Sequence, residues 1–497
     1  MAGSPRRSTL SAWQQALFSL GTLGAAGPGT VYVQLQVYLT KYLGYDATII
    51  GTVRFLTTSF DAVLDPVMGY LSDRTESRFG RRMPYIAIGA VLYAAGVIGM
   101  FYTPAGLSRP GVFAYLTFMH VVYSFGLTMT VIPYNALIPE LAKEYRARTT
   151  LVSWMQVGTY LGTTFGGSVR AYTTWRGDEV SGFQEFAILS SIVMVVCYWL
   201  LVLFVKEPPV SREQRDAMAR HRAEHRNVIA AHIKGLFRAI GYAFRNRYFR
   251  MLFLAVFTYQ AGVLAGLWFY TFLLEDLFGK TWNTPFAQQY MVGPLSPFRD
   301  AFFLYITVAV GGGTLMLPFW NWLGKFVEKR ICLLLGIVGV GCTYASSYWL
   351  FAGQSYPLLI LYALLQAFFY CPANIYPISM LADIATHDEW KNGEANEGMF
   401  YGANSLLTKL YNAAGLLWFG FAQDHIVGYV NGAVDQPEEV ITRMRLLYAF
   451  PALGTSLIAV VFLTRYDLSR QKMGEIVAAL ENTRAMRSQT STTDGLD

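Results

Sequence analysis

Charge is scarce in this chain. Asp, Glu, Lys and Arg make up 14% of its 497 residues, against about 25% in ordinary soluble domains. With 54% hydrophobic residues and a mean hydropathy of +0.34, that deficit argues against about three soluble domains, the count that length alone suggests. Cysteine is scarce too: Cys197, Cys332, Cys342 and Cys371 each fall in an apolar run, which argues against a disulfide framework or zinc site and for small buried apolar side chains. Several motifs are missing outright. No Asn-x-Ser/Thr acceptor occurs, so the loops carry no N-glycan signal. No Gly-x-x-x-x-Gly-Lys-Ser/Thr loop cradles phosphate, leaving ATP-driven pumping without support. The start of the chain lacks a short apolar stretch with a small-residue cleavage site, and the run from Trp13 is too long for a signal peptide, so it reads as a first membrane span. His221 and His225, with His232 nearby, have no carboxylate partners in a zinc-protease pattern and read as a solvated helix face.

What is present is a series of long apolar segments. About twelve can cross a hydrocarbon core of about 30 Å: 12–42, 48–72, 83–103, 111–138, 149–171, 183–205, 248–275, 299–324, 330–351, 357–383, 397–423 and 443–465. The expected fold is all-α, with an N-terminal six-helix bundle (1–205), a basic connector (206–247), a C-terminal six-helix bundle (248–465) and a tail (466–497). Lys and Arg crowd the connector and the loops after spans two, four and eight, while 104–110, 172–182, 352–356 and 424–442 are poor in them. By the positive-inside rule both termini are expected in the cytoplasm, with the chain in a plasma (inner) membrane. The net charge of +7 then reflects topology and anionic lipid heads, not nucleic acid. Gly69-Tyr-Leu-Ser-Asp73-Arg74 after span two echoes Gly324-Lys325 through Arg330 after span eight. Pro133 through Glu140 echoes Pro377 through Asp383. Two such repeats place a substrate between the halves at mid-depth.

The most informative residues are Asp61 and Asp65, one helical turn apart on one face of span two. A single carboxylate at bilayer depth costs about 2.5–3.5 kcal/mol, so a pair needs a bound cation or a proton relay. Arg54 lies two turns outward, and Lys409 sits on span eleven. Two carboxylates and Lys409 sum to one negative charge, which one monovalent cation neutralises. Thr57, Thr58 and Ser59 offer neutral oxygens of the kind hard cations take. A static Asp–Lys409 bridge holding the bundle is the other reading. Asp73, Arg74, Arg78 and Arg81 form a charged turn able to latch neighbouring helices. Gly158, Gly162 and Gly166 make a small-residue stripe for close packing, and Gly27-Pro28-Gly29 suggests a locally broken first span lining the cavity.

The run Asp61-Ala-Val-Leu-Asp65-Pro-Val-Met-Gly69, followed by Asp73-Arg74-Thr75 and Arg78-Phe-Gly80-Arg81, resembles the span-two signature of the glycoside–pentoside–hexuronide:cation symporters. Leu381-Ala-Asp383 through Glu389-Trp390-Lys391, and Asn396-Glu397-Gly398 leading to Lys409, are similar to that family's later loop and span eleven. The resemblance covers nearly the whole chain. It implies a major-facilitator fold and Na⁺, H⁺ or Li⁺ symport, with Asp61 and Asp65 on the family's cation-site carboxylates and Lys409 on its site lysine. Beside it, the residues themselves offer Thr58 as a neutral cation ligand and Asp73, Arg74, Arg78, Arg81 and Asp383 as gating charges, and no cofactor or enzymatic activity is expected. The chain departs from melibiose-type members where Gly29, Val131, Met155 and Asn374 stand in place of three charged sugar partners and an aromatic. Gln34, Tyr38, Asn135, Gln156, Asn374 and Ser405 are left as neutral substrate contacts. The expected cargo of this monomeric carrier is a sugar or glycoside. The alternative is an amphiphile such as a lysophospholipid, because Pro133-Tyr134-Asn135-Ala136-Leu137 is similar to span four of the animal sodium-dependent lysophospholipid transporters.

Overall fold

The computed structural model describes residues 11–75, 77–104, 106–142, 145–205, 207, 228–278, 289–291, 298–393, 396–433 and 435–493. Among them the chain is helical throughout, with no strand. The first half contributes α1 (Ala12–Val33), α2 (Ala47–Arg74), α3 (Met83–Phe101), α4 (Arg109–Leu141), α5 (Tyr145–Gly167) and α6 (Glu179–Phe204). A connector helix α7 (Val228–Arg245) leads to α8 (Arg247–Leu267), α9 (Ala301–Leu323), α10 (Lys329–Leu350), α11 (Tyr356–Asn392), α12 (Glu397–Ala422), α13 (Glu438–Thr464) and the tail helix α14 (Arg470–Thr493). Twelve of these match the twelve expected spans. Eight of the twelve are long and apolar enough by composition alone, and the other four, α1, α2, α5 and α12, carry the polar residues that matter below. Most of the basic connector, together with Lys143, His221 and His225, lies outside the described residues, as do the side chains of Asp73, Arg74, Arg146, Arg148 and His232.

Each half buries its own core. Phe18, Tyr38, Tyr93, Phe183 and Tyr198 anchor the first, and Tyr259, Phe269, Tyr344, Tyr362 and Tyr448 the second. α11 runs to Asn392, nine residues past its expected end, before Gly393 turns the chain at φ +78°. At 1.5 Å per residue its 37 residues span about 55 Å, so it projects beyond the bilayer core. The Gly158/Gly162/Gly166 stripe packs α5 on α1 as expected. A Cβ on Gly162 would lie 2.9 Å from that of Ala26, and one on Gly166 would lie 2.8 Å from that of Thr30.

The first span is broken elsewhere than expected. Pro28 sits inside an intact α1, and the interruption comes at Gln34, followed by a short turn (Leu35–Val37) and a π-helical turn (Tyr38–Tyr42). α8 is interrupted in the same way at Trp268 before continuing as Phe269–Phe278. α5 breaks at Ser168 before Val169–Arg176, and α12 passes into a π-helical turn, Gln423–Val427. The first and fifth spans of both halves are thus interrupted at corresponding places, all toward the face opposite the basic loops. Discontinuous helices of this kind line transporter sites.

On that opposite face the halves are locked together. Lys41 pairs with Asp276 at 2.5 Å and Glu275 at 3.0 Å, and Arg170 with Glu275 at 3.2 Å, every side chain at least nine-tenths buried. Tyr42 donates to Glu275 and accepts from Arg170. These four charges cancel, and Arg170 also lies 3.7 Å from the part-exposed Glu179. Alongside, α2 is capped in trans. Asp46 at its N-cap makes no capping bond, and the amides of Thr48 and Ala47 donate to Asp424 of the other half at 2.7 and 3.3 Å. A carboxylate at a helix N-terminus satisfies orphan amides and meets the positive end of the dipole. Between these contacts a Cβ on Gly51 would lie 2.8 Å from the Leu416 carbonyl oxygen, so the backbones touch.

The basic face is built differently. Arg81 donates to Glu140 at 2.6 Å and Glu207 at 3.2 Å, and Arg82 reaches Glu140 at 2.9 Å. Lys329 pairs with Asp383 at 2.7 Å. These are the repeat-related sites read from the sequence, and each pair joins residues of one half. Arg78, read as part of the latch, is exposed with its guanidinium over the Phe79 ring.

Two outcomes follow. Gly162→Leu should drive α1 and α5 apart and destabilise the protein, read as a fall of several degrees in its melting temperature in detergent. Glu275→Gln should leave Lys41 and Arg170 undercompensated. Breaking a buried pair costs about 3–5 kcal/mol, so the locked face should open by two or more orders of magnitude. Spin-label distances between residues 45 and 431 should then lengthen, and an unchanged distance distribution would contradict the lock.

Candidate functional site

α2 and α4 pack in register at mid-depth. Ser124 donates to Asp61 and Thr128 to Asp65 at 3.2 Å, both pairs 63 residues apart in sequence. The register follows from periodicity, since two residues four apart on each helix face each other in successive turns. Lys409 reaches across from α12, forming an ion pair with Asp65 and donating to the Asp61 carbonyl at 3.4 Å. The cluster gathers two carboxylates, two hydroxyls, a carbonyl and one ammonium, with Asp65 and Lys409 about a quarter exposed. Such a set of hard oxygens fits a small monovalent cation or a proton, with Lys409 as a resident counter-charge that either would displace. Among the described residues no group of three or more His, Cys, Asp or Glu side chains comes together to hold a metal ion.

The neutral oxygens are not those expected. Thr58 is half-buried on α2, Thr57 spends its hydroxyl on the Val53 carbonyl at 3.0 Å, and the Ser59 hydroxyl is buried without a partner. α4 supplies the hydroxyls instead. The signal was present in the sequence as Ser124-x-x-x-Thr128, matching the Asp61/Asp65 spacing.

A cavity of about 440 Å³ opens between α5, α8, α9 and α11, lined by Tyr270, Tyr305, Tyr344, Tyr370, Gln156, Gln366 and Asn374 among others. A second, of about 190 Å³, shares Asn374 and is lined by Gln260, Asn404, Thr408 and Tyr411, reaching the residue beside Lys409. Of the residues read as substrate contacts, Gln156 lines the larger cavity and Asn374 lines both. Tyr38 does not: its hydroxyl donates to the Phe101 carbonyl at 2.6 Å and its ring packs on Phe101 and Phe183, inside the first core. The π-helical turn that aims Lys41 at the lock carries Tyr38 inward. Gln34 is 1% exposed with both amide atoms unpartnered, at the α1 break. Asn135 and Ser405 are exposed and line neither cavity. Sequence reading missed the lock residues Lys41, Arg170, Glu275, Asp276 and Asp424, which fall at span ends where charge is unremarkable.

Comparison with known proteins agrees with this architecture. The family described as MFS/sugar transport protein matches residues 17–470. A Synechocystis protein named as an uncharacterised symporter is 25% identical over 90% of this chain and 93% of its own. The sodium-dependent lysophosphatidylcholine symporter 1-B of Danio rerio is 23% identical over 88% and 83%. A solved structure of the nucleoside transporter NupG, in a single-substitution form, superposes with a TM-score of 0.63 at 16% identity, covering 90% of this chain and 99% of that one. With the family match running through all twelve spans, the chain belongs to the MFS/sugar transport proteins, glycoside–pentoside–hexuronide:cation symporter-like members of the major facilitator superfamily.

Proposed function

We propose that the protein is a secondary symporter that couples entry of one monovalent cation, Na⁺ or H⁺, to uptake of a small organic solute by alternating access. The observation that carries the reading is the Asp65–Lys409 ion pair, which joins the two halves at mid-depth beside Asp61. With Lys409 in place the cluster holds one uncompensated negative charge, so the carrier without a cation resists occlusion. A bound cation removes that charge and lets the halves rock.

With the basic loops cytoplasmic, in a plasma (inner) membrane and both termini inside, the locked face is external and this conformation faces inward. Arg81 and Asp383, with Arg78, Asp73 and Arg74 beside them, then stand at the cytoplasmic face, where the pairs within each half keep the two bundles rigid. Asp61, Asp65, Ser124 and Thr128 are the cation ligands in this reading, and Gln156, Gln366 and Asn374 contact solute. A cavity of tyrosines and amides suits a sugar ring or glycoside, whose apolar face stacks on aromatics while amides meet its hydroxyls.

One observation favours a second reading, an amphiphile. An apolar groove of about 470 Å³ between α8 and α12, lined by Phe253, Phe257, Leu264, Leu407 and Trp418, shares Phe253 and Tyr411 with the smaller cavity. That cavity in turn shares Asn374 with the larger one. A head group in the cavities and an acyl chain in the groove use this continuity. The named activity of the Danio rerio relative fits the same picture.

Asp65→Asn should abolish cation-driven accumulation in proteoliposomes while leaving membrane insertion intact. Full accumulation by that variant would sink the mechanism. Lys409→Ala should tighten cation binding, because its resident competitor is gone, and slow the return of the empty carrier. Net uptake would then fall while solute exchange persists, and equal losses in both assays would argue for a merely structural lysine.

A further inference from the structure

The two cavities belong almost wholly to the second half. Among the described residues the larger takes one side chain from the first half, Gln156 on α5, and the smaller takes none. Two polar atoms in the wall of the larger cavity have no hydrogen-bond partner: the Tyr344 hydroxyl, reaching in from α10, and Gln366 Oε1 on α11. Both side chains are more than nine-tenths buried, at 0% and 5% exposure. The surrounding tyrosines are not short of partners in the same way. Tyr362 and Tyr448 share a hydrogen bond at 2.6 Å, while the Tyr344 ring lies 4.9 Å from that of Tyr448 and its hydroxyl stays out of the pair.

A buried polar atom without a partner carries its full desolvation cost, so each orphan needs a reason. These two are complementary: a tyrosine hydroxyl donates, and an amide oxygen accepts. Solute hydroxyls do both, and so satisfy the pair. The same cavity has no charged side chain among the described residues, and Leu267, Ile306, Val310 and Leu317 make much of its wall apolar. A charged group would be desolvated there without a counter-charge, which leaves an uncharged, hydroxyl-bearing solute with an apolar side. The length of that solute is set on α9, where three consecutive glycines have different surroundings. A Cβ on Gly311 would lie 2.8 Å from the Tyr160 ring, and one on Gly312 would lie 3.0 Å from that of Ala367, so both positions serve helix packing. A Cβ on Gly313 meets nothing within 4 Å, and Gly313 lines the larger cavity. Its missing side chain gives room to the solute, not contact to a helix.

The oxygens gathered for the cation lie elsewhere, on α2 and α4 of the first half. We propose that the solute is held by the second half, its hydroxyls bonded to Tyr344 and Gln366, and that Gly313 sets the largest solute admitted. Cation and solute then ride on opposite halves. Each is touched from the other side by a crossing residue: Gln156 of the first half at the solute cavity, and Lys409 of the second at the cation cluster. The inference rests on the symport reading above and assigns its solute to one half.

The test uses full-length protein in lipid nanodiscs and three neutral probes, phenyl β-glucoside, phenyl β-galactoside and phenyl β-xyloside, each beside its methyl counterpart. At least one of these pairs should bind. Tyr344→Phe removes the hydroxyl and keeps the ring, and should weaken that binding about tenfold, the loss of one hydrogen bond in a dry site. In the empty protein the same change removes an unsatisfied group, so the melting temperature should hold or rise. A purely structural tyrosine would give the reverse, lower stability with unchanged affinity. Gln366→Met should follow the pattern of Tyr344→Phe. Gly313→Leu should exclude the phenyl glycoside and spare the methyl one. Met155→Ala, beside Gln156 on α5 but outside both cavities, should leave affinity unchanged. Binding of none of the probes, affinity indifferent to Tyr344→Phe and Gln366→Met, a phenyl glycoside still admitted by Gly313→Leu, or an equal loss in Met155→Ala would each overturn the inference. Failure of the symport reading looks different: the binding pattern stands, while glycoside uptake into proteoliposomes ignores the cation gradient.

Discussion

The ion pair between Asp65 and Lys409 is where the two halves meet at the depth least tolerant of charge, and the contacts of α2 with α12 are arranged along the same line. The two helices run antiparallel, and three contacts form successive rungs between them: Thr48 with Asp424, the backbones of Gly51 and Gly420, and Asp65 with Lys409. The first rung satisfies amides at a helix start, the second is pure close approach, and the third compensates charge. A rocking motion that opens the locked face parts the first two rungs and pivots near the third. In the proposed cycle the charge left on Asp61 and Asp65 with Lys409 in place weighs on the free energy of that motion, and coupling follows from a cation that neutralises it.

The same kind of interaction plays opposite parts on the two faces. Arg81 with Glu140 and Lys329 with Asp383 tie elements of a single half, so rocking leaves them unbroken. Lys41, Arg170, Glu275 and Asp276 tie different halves, so rocking must break them. Buried pairs contribute little net stability over apolar replacements but specify geometry strongly. That balance suits a lock: its partners define one closed arrangement, and opening returns them to water, which refunds much of what their separation costs.

Much of this was legible in the sequence. Twelve helices lie where the apolar segments place them, eight of them apolar enough by composition alone, the candidate site follows from two carboxylates one turn apart, and the Gly158 stripe from its period. The rest depended on tertiary contacts that no local window carries. Lys41 and Asp276 are 235 residues apart, and at span ends each reads as an ordinary boundary charge. Ser124 and Thr128 look like back-bonded hydroxyls until α4 is laid on α2. Pro28 signals a break, yet α1 continues through it, packed through Gly27 and Thr30 against Gly162 and Gly166, and yields at Gln34 where that support ends. Tyr38 follows from the same shift, since a π turn begun there rotates the ring into the core.

The interruptions explain why the lock and the site can communicate. Gln34, Ser168, Trp268 and Gln423 each separate a long inner helix from a short outer piece, and the outer pieces carry Lys41, Arg170, Glu275 with Asp276, and Asp424. A continuous helix would transmit any tilt of the outer end directly to mid-depth, and the Asp65–Lys409 geometry would be lost with each opening. A break lets the outer piece swing while the inner helix holds its register, because only the few residues at the interruption change their dihedrals. Trp268 is the one interruption whose side chain also covers a buried charge, that of Arg54. The outer piece of α8 therefore begins beside a residue that touches Arg54, so the locked face and the centre of the bundle meet at one indole ring.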